Sequence, residues 1–330
     1  MRVNLKDRRI RALLIASLIS LAAIIVILKV TDASLSWSLI KRIDGRFLVL
    51  AFLLHALNWF FYAVRLQRLT SLAGHRISFR LSFKSTLASN FLAALTPSSA
   101  GGEPLRIKIL ADDGMSYGSA TAVAVGERLL DSIFFLAALA IFLTASGFMT
   151  GFGLGLGVVF FLLLLLLAIF LRELAIRPDR IARFMGWAKA KTGNRPIISA
   201  MEREIWLFRD AAIRLAKETL GHIPVMVGLT TLIWICDFLV PSALLVGMGE
   251  GPKFLFSITS QIILAIVAIL PLTPGSSGVA ELGMSYLYSL FVPAVLLGPL
   301  VALWRLITYF SNIVVGAAFA GESINGILKR

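Results

Sequence analysis

The 330-residue chain contains one cysteine, Cys236, and only three histidines, His55, His75 and His222. A single thiol excludes an internal disulfide, and three scattered imidazoles exclude a Cys/His metal set. Only 15% of residues are charged and 58% are hydrophobic, against roughly 25% and 45–50% in soluble domains. A GxxxxGK[ST] phosphate loop is missing as well, so no ATP site is expected. Together these shortages exclude a soluble enzyme, a disordered chain and a secreted disulfide scaffold. Acids are the scarcest charge, 18 against 32 basic residues, for a net charge of +14. In a soluble protein that excess would suggest nucleic acid. In so apolar a chain it indicates basic loops retained on the cytoplasmic side of a membrane, and no nucleic-acid partner is expected.

What the chain has instead is a series of long apolar runs. After the basic MRVNLKDRRIR come 17 uncharged residues, 12–28. Lys29 and Thr31-Asp32 stand where a small-residue cleavage site would lie, so this run reads as an uncleaved span. A second span covers about 47–64. The 40 residues 132–171 carry no charge, enough for two spans joined at SGFMTGFG. Spans at 223–246 and 293–320 bring the total to six. Residues 172–218 differ, with 11 basic and 6 acidic residues. The segment 172–220 reads as amphipathic helix on the cytoplasmic surface. Placing the N-terminus inside puts 25 of the 32 basic residues in cytoplasmic segments, 65–84 and 106–108 among them. Both termini of this multi-pass inner-membrane protein are therefore expected in the cytoplasm.

Two further apolar segments are broken. Residues 79–95 run into LTPSSAGGE (95–103), and 254–272 run into LTPGSSGVAE (272–281). Proline and glycine stop a helix, and a short helical piece follows each break. The motifs LTPSSAG and LTPGSSG lie 177 residues apart, and the same offset carries Arg128 onto Arg305. A looser match at offset 175 pairs Leu57-x-Trp59 with Leu232-x-Trp234. If each broken segment is a re-entrant hairpin, about 79–112 and 254–291, three full spans separate the two. That odd number gives them opposite directions. The expected fold is an all-α polytopic membrane protein with about six full transmembrane helices and two opposed re-entrant hairpins. It divides into inverted repeats at 1–150 and 151–330, with both tips near the midplane, a transporter architecture. Eight ordinary proline-kinked spans are the alternative.

Ionisable groups inside a membrane are costly, so each is a site candidate. Glu127, Arg128 and Asp131 lie in GERLLD. Glu127 and Asp131 share a helix face. Arg128 points about 100° away and needs another partner, with Glu103 and Glu281, just past the two tips, as the obvious choices. Asp237 and Arg305 complete the set. Ser98, Ser99, Gly101 and Gly102 precede one short helix; Gly275, Ser276, Ser277 and Gly278 precede the other. Helix N-termini flanked by small residues present backbone N–H groups to an anion. The reading makes Arg128 and Arg305 ligands of a phosphate headgroup, with Glu103, Glu127, Asp131 and Glu281 balancing them or changing protonation. The plainer readings are a charge-paired interior that fixes helix packing, and ordinary N-capping by serine.

Gly275-Ser276-Ser277-Gly278 matches the GxSG of rhomboid proteases, but no histidine follows residue 222 to serve as base. A membrane glycosyltransferase needs an acidic outer loop, and 29–46 offers only Asp32 and Asp44. No catalytic residue, metal or cofactor is assigned, and the chain is not expected to be an enzyme.

The two Pro-Gly-Ser turns, Glu127-Arg-Leu-Leu-Asp131 and TPGSSGVAE resemble the lysylphosphatidylglycerol synthase transmembrane family, also called flippase-like or UPF0104, over nearly the whole chain. That family includes the flippase half of the multiple peptide resistance factor, which moves aminoacylated phosphatidylglycerol across the bacterial inner membrane. Its stand-alone members include some linked to hopanoid or polyprenyl-lipid pathways. The second turn reads PGSSG where the family usually has PGGLG. The soluble domain that makes the lysyl ester has no counterpart here, since 172–218 is too short for one. The resemblance thus implies translocation of an anionic lipid or lipid-linked intermediate, with a homo-oligomer or a separate lipid-synthesis enzyme as possible partner. A small-solute or ion transporter of the same fold, or a membrane subunit or enzyme of lipid modification, is the alternative.

Overall fold

A computed structural model describes residues 43–96, 101–192, 196–269, 273 and 275–328. The span expected at 12–28 and the tip serines Ser98 and Ser99 lie outside these residues. The described residues contain no β-strand.

Helix α1 (Gly45–Leu72) is capped by Asp44, whose carboxylate accepts the Arg46 N–H at 2.9 Å. That backbone hydrogen bond, with the Arg46 guanidinium beside it, holds the Asp44 carboxyl below its ordinary value. Helix α2 (Phe79–Leu95) is capped by Ser78 and ends at Thr96. After the break comes the short α3 (Gly102–Asp112). Ser116 caps α4 (Tyr117–Ser146), which stops at Gly147 with φ +61°. Next come α5 (Thr150–Ile176), α6 (Pro178–Thr192) and α7 (Pro196–Leu220). Helices α8 (Ile223–Phe238) and α9 (Val240–Gly247) form one apolar rod interrupted near Pro241. Then come α10 (Phe254–Ala268), a second break and α11 (Val279–Ser289). Helix α12 (Ala294–Arg305) passes through a π-helical turn, Leu306–Phe310, into α13 (Ser311–Leu328).

Five rods are long and apolar enough to cross a bilayer: α1, α4, α5, α8–α9 and α12–α13. They correspond to five of the six spans expected from hydropathy, and the sixth is the one outside the described residues. The protein is an all-α polytopic membrane protein. Several boundaries differ from expectation. Helix α1 runs on past residue 64 to Leu72, and α4 begins at Tyr117 rather than near residue 132. Hydropathy stops at charges, whereas the helices continue through Arg65, Glu127, Arg128 and Asp131, each paired within the protein.

The short helices after the two breaks are below spanning length. Helices α3 and α11 have 11 residues each, about 16 Å at 1.5 Å per residue, against a hydrocarbon thickness of ~30 Å. Each folds back on the helix before it, α3 on α2 and α11 on α10. Three contacts tie residues 43–146 to residues 223–328: α2 packs on α13, α10 packs on α4, and α1 packs along α8 and α9. The two breaks touch directly, the Gly275 N–H donating to the Thr96 carbonyl at 3.0 Å and the Tyr309 hydroxyl to the Ala94 carbonyl at 3.2 Å.

Lipid supplies little drive for helices to associate, so close approach at small residues matters. Helix α5 shows the converse: only Gly153 is buried along it, and Phe161, Leu162, Leu166 and Phe170 face outward. Helices α4 and α7 cross at Gly118, whose N–H donates to the Glu204 carboxylate at 2.7 Å. A Cβ there would lie 2.0 Å from the Glu204 carbonyl oxygen, which is backbone and cannot yield. Gly118→Ala is therefore expected to push α7 off α4 and cost about 1–3 kcal/mol of stability. Gly155→Ala on α5, with nothing within 4 Å of its Cβ, is expected to be neutral or slightly stabilising. Thermal unfolding of the two variants in detergent checks the contrast; equal melting would refute it.

Candidate functional site

The charged interior is built on α1, α3, α4 and α8. Arg65 on α1 is fully buried and forks onto Asp131 of α4, Nη1 to Oδ1 at 2.6 Å and Nη2 to Oδ2 at 3.2 Å. Its Nη1 also donates to the Thr230 hydroxyl of α8 at 3.0 Å, and the Tyr62 ring lies 4.9 Å from the guanidinium carbon. The Trp234 indole N–H donates to the same Asp131 oxygen at 2.8 Å. Arg106 on α3 donates to Glu127 Oε2 at 2.5 Å. Arg128 donates from Nε to Glu103 Oε1 at 2.9 Å, with its Nη2 on the same oxygen, and its Nη1 lies 3.7 Å from Asp131. Three guanidinium groups thus meet three carboxylates, and the cluster is neutral. Such pairing is what permits charge at membrane depth.

The three arginines differ in access. The side chains of Arg65 and Arg106 are 0% and 3% exposed, while that of Arg128 is 51% exposed. Arg128 is the cation of this cluster that a ligand can reach without rearrangement. Glu127 Oε1 is buried without a hydrogen bond, with Arg65 Nη2 3.8 Å away.

A second, smaller cluster stands on α11 and α12. Arg305 donates from Nε to Glu281 Oε1 at 2.6 Å and from Nη2 to the Ser277 hydroxyl at 3.3 Å and the Gly275 carbonyl at 3.4 Å. The Tyr309 ring lies 4.2 Å from its guanidinium carbon. Glu281 sits in the first turn of α11 and accepts the Gly278 N–H at 2.6 Å. The anion at this helix N-terminus is the protein's own carboxylate. At the other tip the Gly101 N–H is taken by the Thr96 hydroxyl at 2.8 Å.

Of the charged candidates read from the sequence, all but Asp237 fall into these two clusters. The partner that Arg128 needs is Glu103, and the partner of Arg305 is Glu281. In each half, an acid in the first turn of the short helix holds the arginine one span further on. The two tryptophans matched at offset 175 also act alike, Trp59 donating to Asn312 of α13 at 2.8 Å and Trp234 to Asp131 of α4. Asp237 stands apart, bonded to the buried His55 at 2.9 Å between α8 and α1. Gly275, Ser276, Ser277 and Gly278 form the second tip, with positive φ at Gly275, Ser276 and Gly278. Gly102 packs against the Ser89 carbonyl of α2.

Two residues counted with the cytoplasmic basic set belong here instead. Arg65 and Arg106 are buried because Asp131 and Glu127 compensate them. The signal was present in GERLLD: two acids on one face, with their own arginine pointing away, require cations from elsewhere. The π turn that follows Arg305 left no such trace. Its loosened carbonyls are met by side chains, the Thr308 hydroxyl on Trp304 at 2.8 Å and the Asn312 amide on Thr308 at 2.6 Å. Turns of this kind concentrate at functional sites.

Residues 13–316 match the family model described as the lysylphosphatidylglycerol synthase TM region. The chain belongs to that family. Among its relatives, a UPF0104 membrane protein of Archaeoglobus fulgidus is 42% identical over 319 residues, covering 94% of this chain and 97% of the relative. The UPF0104 membrane protein PH1989 of Pyrococcus horikoshii is 25% identical over 287 residues, covering 81% of this chain and 85% of the relative. No solved structure matches. The lysylphosphatidylglycerol synthase TM match covers both clusters, both breaks, four of the five long apolar rods in full and the fifth as far as residue 316.

Proposed function

We propose that this protein moves a lipid with an anionic headgroup between the leaflets of the cytoplasmic membrane, with both termini in the cytoplasm. In this reading 1–150 and 151–330 are inverted repeats, and the two broken segments are re-entrant hairpins meeting near the midplane. The reciprocal packing of α2 on α13 and α10 on α4 supports it, as does the recurrence of the Glu–Arg pair behind each break. The observation that carries the headgroup assignment is Arg128, a half-exposed guanidinium held in place by Glu103 at membrane depth. A phosphate approaching it meets a fixed fork of donors. Arg305, 6% exposed, gives its donors to Glu281, Ser277 and Gly275, so it would receive the headgroup only when the tips part. Glu103 and Glu281 hold each arginine's charge balanced between visits. The protein would act as a transporter rather than an enzyme, passively or coupled to an ion.

Arg128→Lys retains the charge and loses the fork. Translocation of labelled anionic lipid in proteoliposomes, followed by leaflet accessibility, is expected to slow about tenfold, roughly 1.4 kcal/mol of barrier, with unchanged melting. Zwitterionic lipid of equal chain length should move more slowly than anionic lipid in the wild type. Wild-type rates in the lysine variant, or indifference to headgroup charge, would overturn the assignment.

A further inference from the structure

A cavity of about 920 Å³ opens where α4 begins and α5 ends, lined by residues of neither break. Its size is that of a ligand pocket, roughly 300–1,000 Å³. The lining is hydrocarbon: Phe170 and Leu174 from the last turns of α5, and Ile197, Met201, Ile205 and Phe208 from α7. Phe170 is 62% exposed, Ile197 64% and Met201 53%, an apolar surface that an aqueous ligand would leave uncovered.

Two features identify what fills it. First, the cavity continues the outward face of α5, the rod with the highest hydropathy and 6% of its apolar window buried. Phe170 belongs both to that outward face and to the cavity lining, so the two surfaces adjoin. Second, the charged groups at its rim are engaged within the protein. Glu173 pairs with Arg177 at 3.3 Å and with Arg172 at 3.6 Å. Glu204 accepts the Gly118 N–H at 2.7 Å and lies 3.6 Å from Arg203. The Thr121 hydroxyl donates to the Tyr117 carbonyl at 2.7 Å. The charged residues of the lining are two carboxylates, Glu173 and Glu204, and one guanidinium, Arg177, a balance that gives an anionic headgroup no net attraction, while the walls suit a hydrocarbon chain.

We propose that this groove is a binding site for an acyl chain of a bilayer phospholipid, selecting the chain and not the headgroup. The site is separate from the headgroup route proposed above and does not depend on it. The bound chain fills the wedge between α4, α5 and α7 and ties the amphipathic α7 to the membrane.

The test uses full-length protein in proteoliposomes containing trace phosphatidylglycerol or phosphatidylcholine with a photoactivatable diazirine in the acyl chain. Adducts are mapped by peptide mass spectrometry. Adducts on 197–208 are expected several-fold above those on Phe161 and Leu162, which are open to lipid at 51% each. The two headgroups should label within about twofold of each other. Ala200→Trp, and separately Thr121→Trp, should cut groove labelling at least fivefold and leave α5 labelling intact. Melting temperatures identify any variant that has merely lost its fold. Met201→Cys in a Cys236→Ser background should react slowly with a charged maleimide. Groove labelling no higher than that of α5, or a clear preference for one headgroup, would overturn the proposal. So would fast maleimide reaction, or cross-links showing that another part of this chain or a second copy occupies the groove. Because these variants leave Arg128 untouched, either proposal can fail while the other stands.

Discussion

Arg65→Ala is expected to be the most destabilising single substitution in the charged interior, by about 3–5 kcal/mol. The side chain is fully buried and forks onto Asp131. Its loss leaves a carboxylate at membrane depth with the Trp234 indole as its remaining close donor and Arg128 as its remaining cation, 3.7 Å away. The deficit arises from the stranded charge rather than from the pair itself. Neutralising the carboxylate should therefore recover much of it: Arg65→Ala/Asp131→Asn should melt well above the sum of the two single losses. A double-mutant cycle in detergent measures the coupling. Strict additivity, or an Arg65→Ala protein that melts with the wild type, would show that the pair is not what holds α1 to α4.

The second large effect is expected at the contact between the breaks. Gly275 has φ +57°, and a Cβ on it would stand 2.6 Å from the Ala94 carbonyl oxygen and 2.6 Å from Tyr309 Cε2. Left-handed backbone alone costs an alanine roughly 1–2 kcal/mol, and the clash with backbone adds to it. Gly275→Ala must either twist the turn or part the tips, breaking the Gly275–Thr96 hydrogen bond and displacing the carbonyl that Arg305 holds. We expect a stability loss of about 2–4 kcal/mol and a change in lipid translocation of at least tenfold. Gly151→Ala, with nothing within 4 Å of its Cβ, is the matched control. If Gly275→Ala melts and translocates like the control, the tips do not rely on their contact.

The long rods were legible because hydrophobic runs of bilayer length have few other uses. The breaks were legible because proline and paired glycine interrupt otherwise continuous runs. Most of the site followed from one question, namely what partner each intramembrane charge has. For Arg128 the answer lay 25 residues back, at Glu103, and for Arg305 24 residues back, at Glu281. Arg65 and Arg106 each sit beside a polar stretch, and a one-dimensional count assigns such residues to the water. Only the packing of α1 and α3 against α4 shows that they turn inward. The unequal exposure of Arg128 and Arg305 was also hidden, since equal offsets in sequence say nothing about which copy is covered by its neighbours.

The order in which those charges meet constrains how the chain can be built. Arg65 is separated from Asp131 by 66 residues, and Arg106 from Glu127 by 21. A helix leaving the translocon alone would carry its arginine into lipid at about 2.5–3.5 kcal/mol on the insertion scale. Helix α3 is too short to offset that with apolar residues of its own. It cannot settle in the bilayer before α4 emerges with Glu127, and Glu281 likewise waits for Arg305 on the rod that follows α11. If the broken segments are re-entrant as proposed, each short helix is drawn into the membrane by the span synthesised after it. Truncation after residue 112 should therefore leave α3 at the membrane surface, and extension through residue 146 should bring it in.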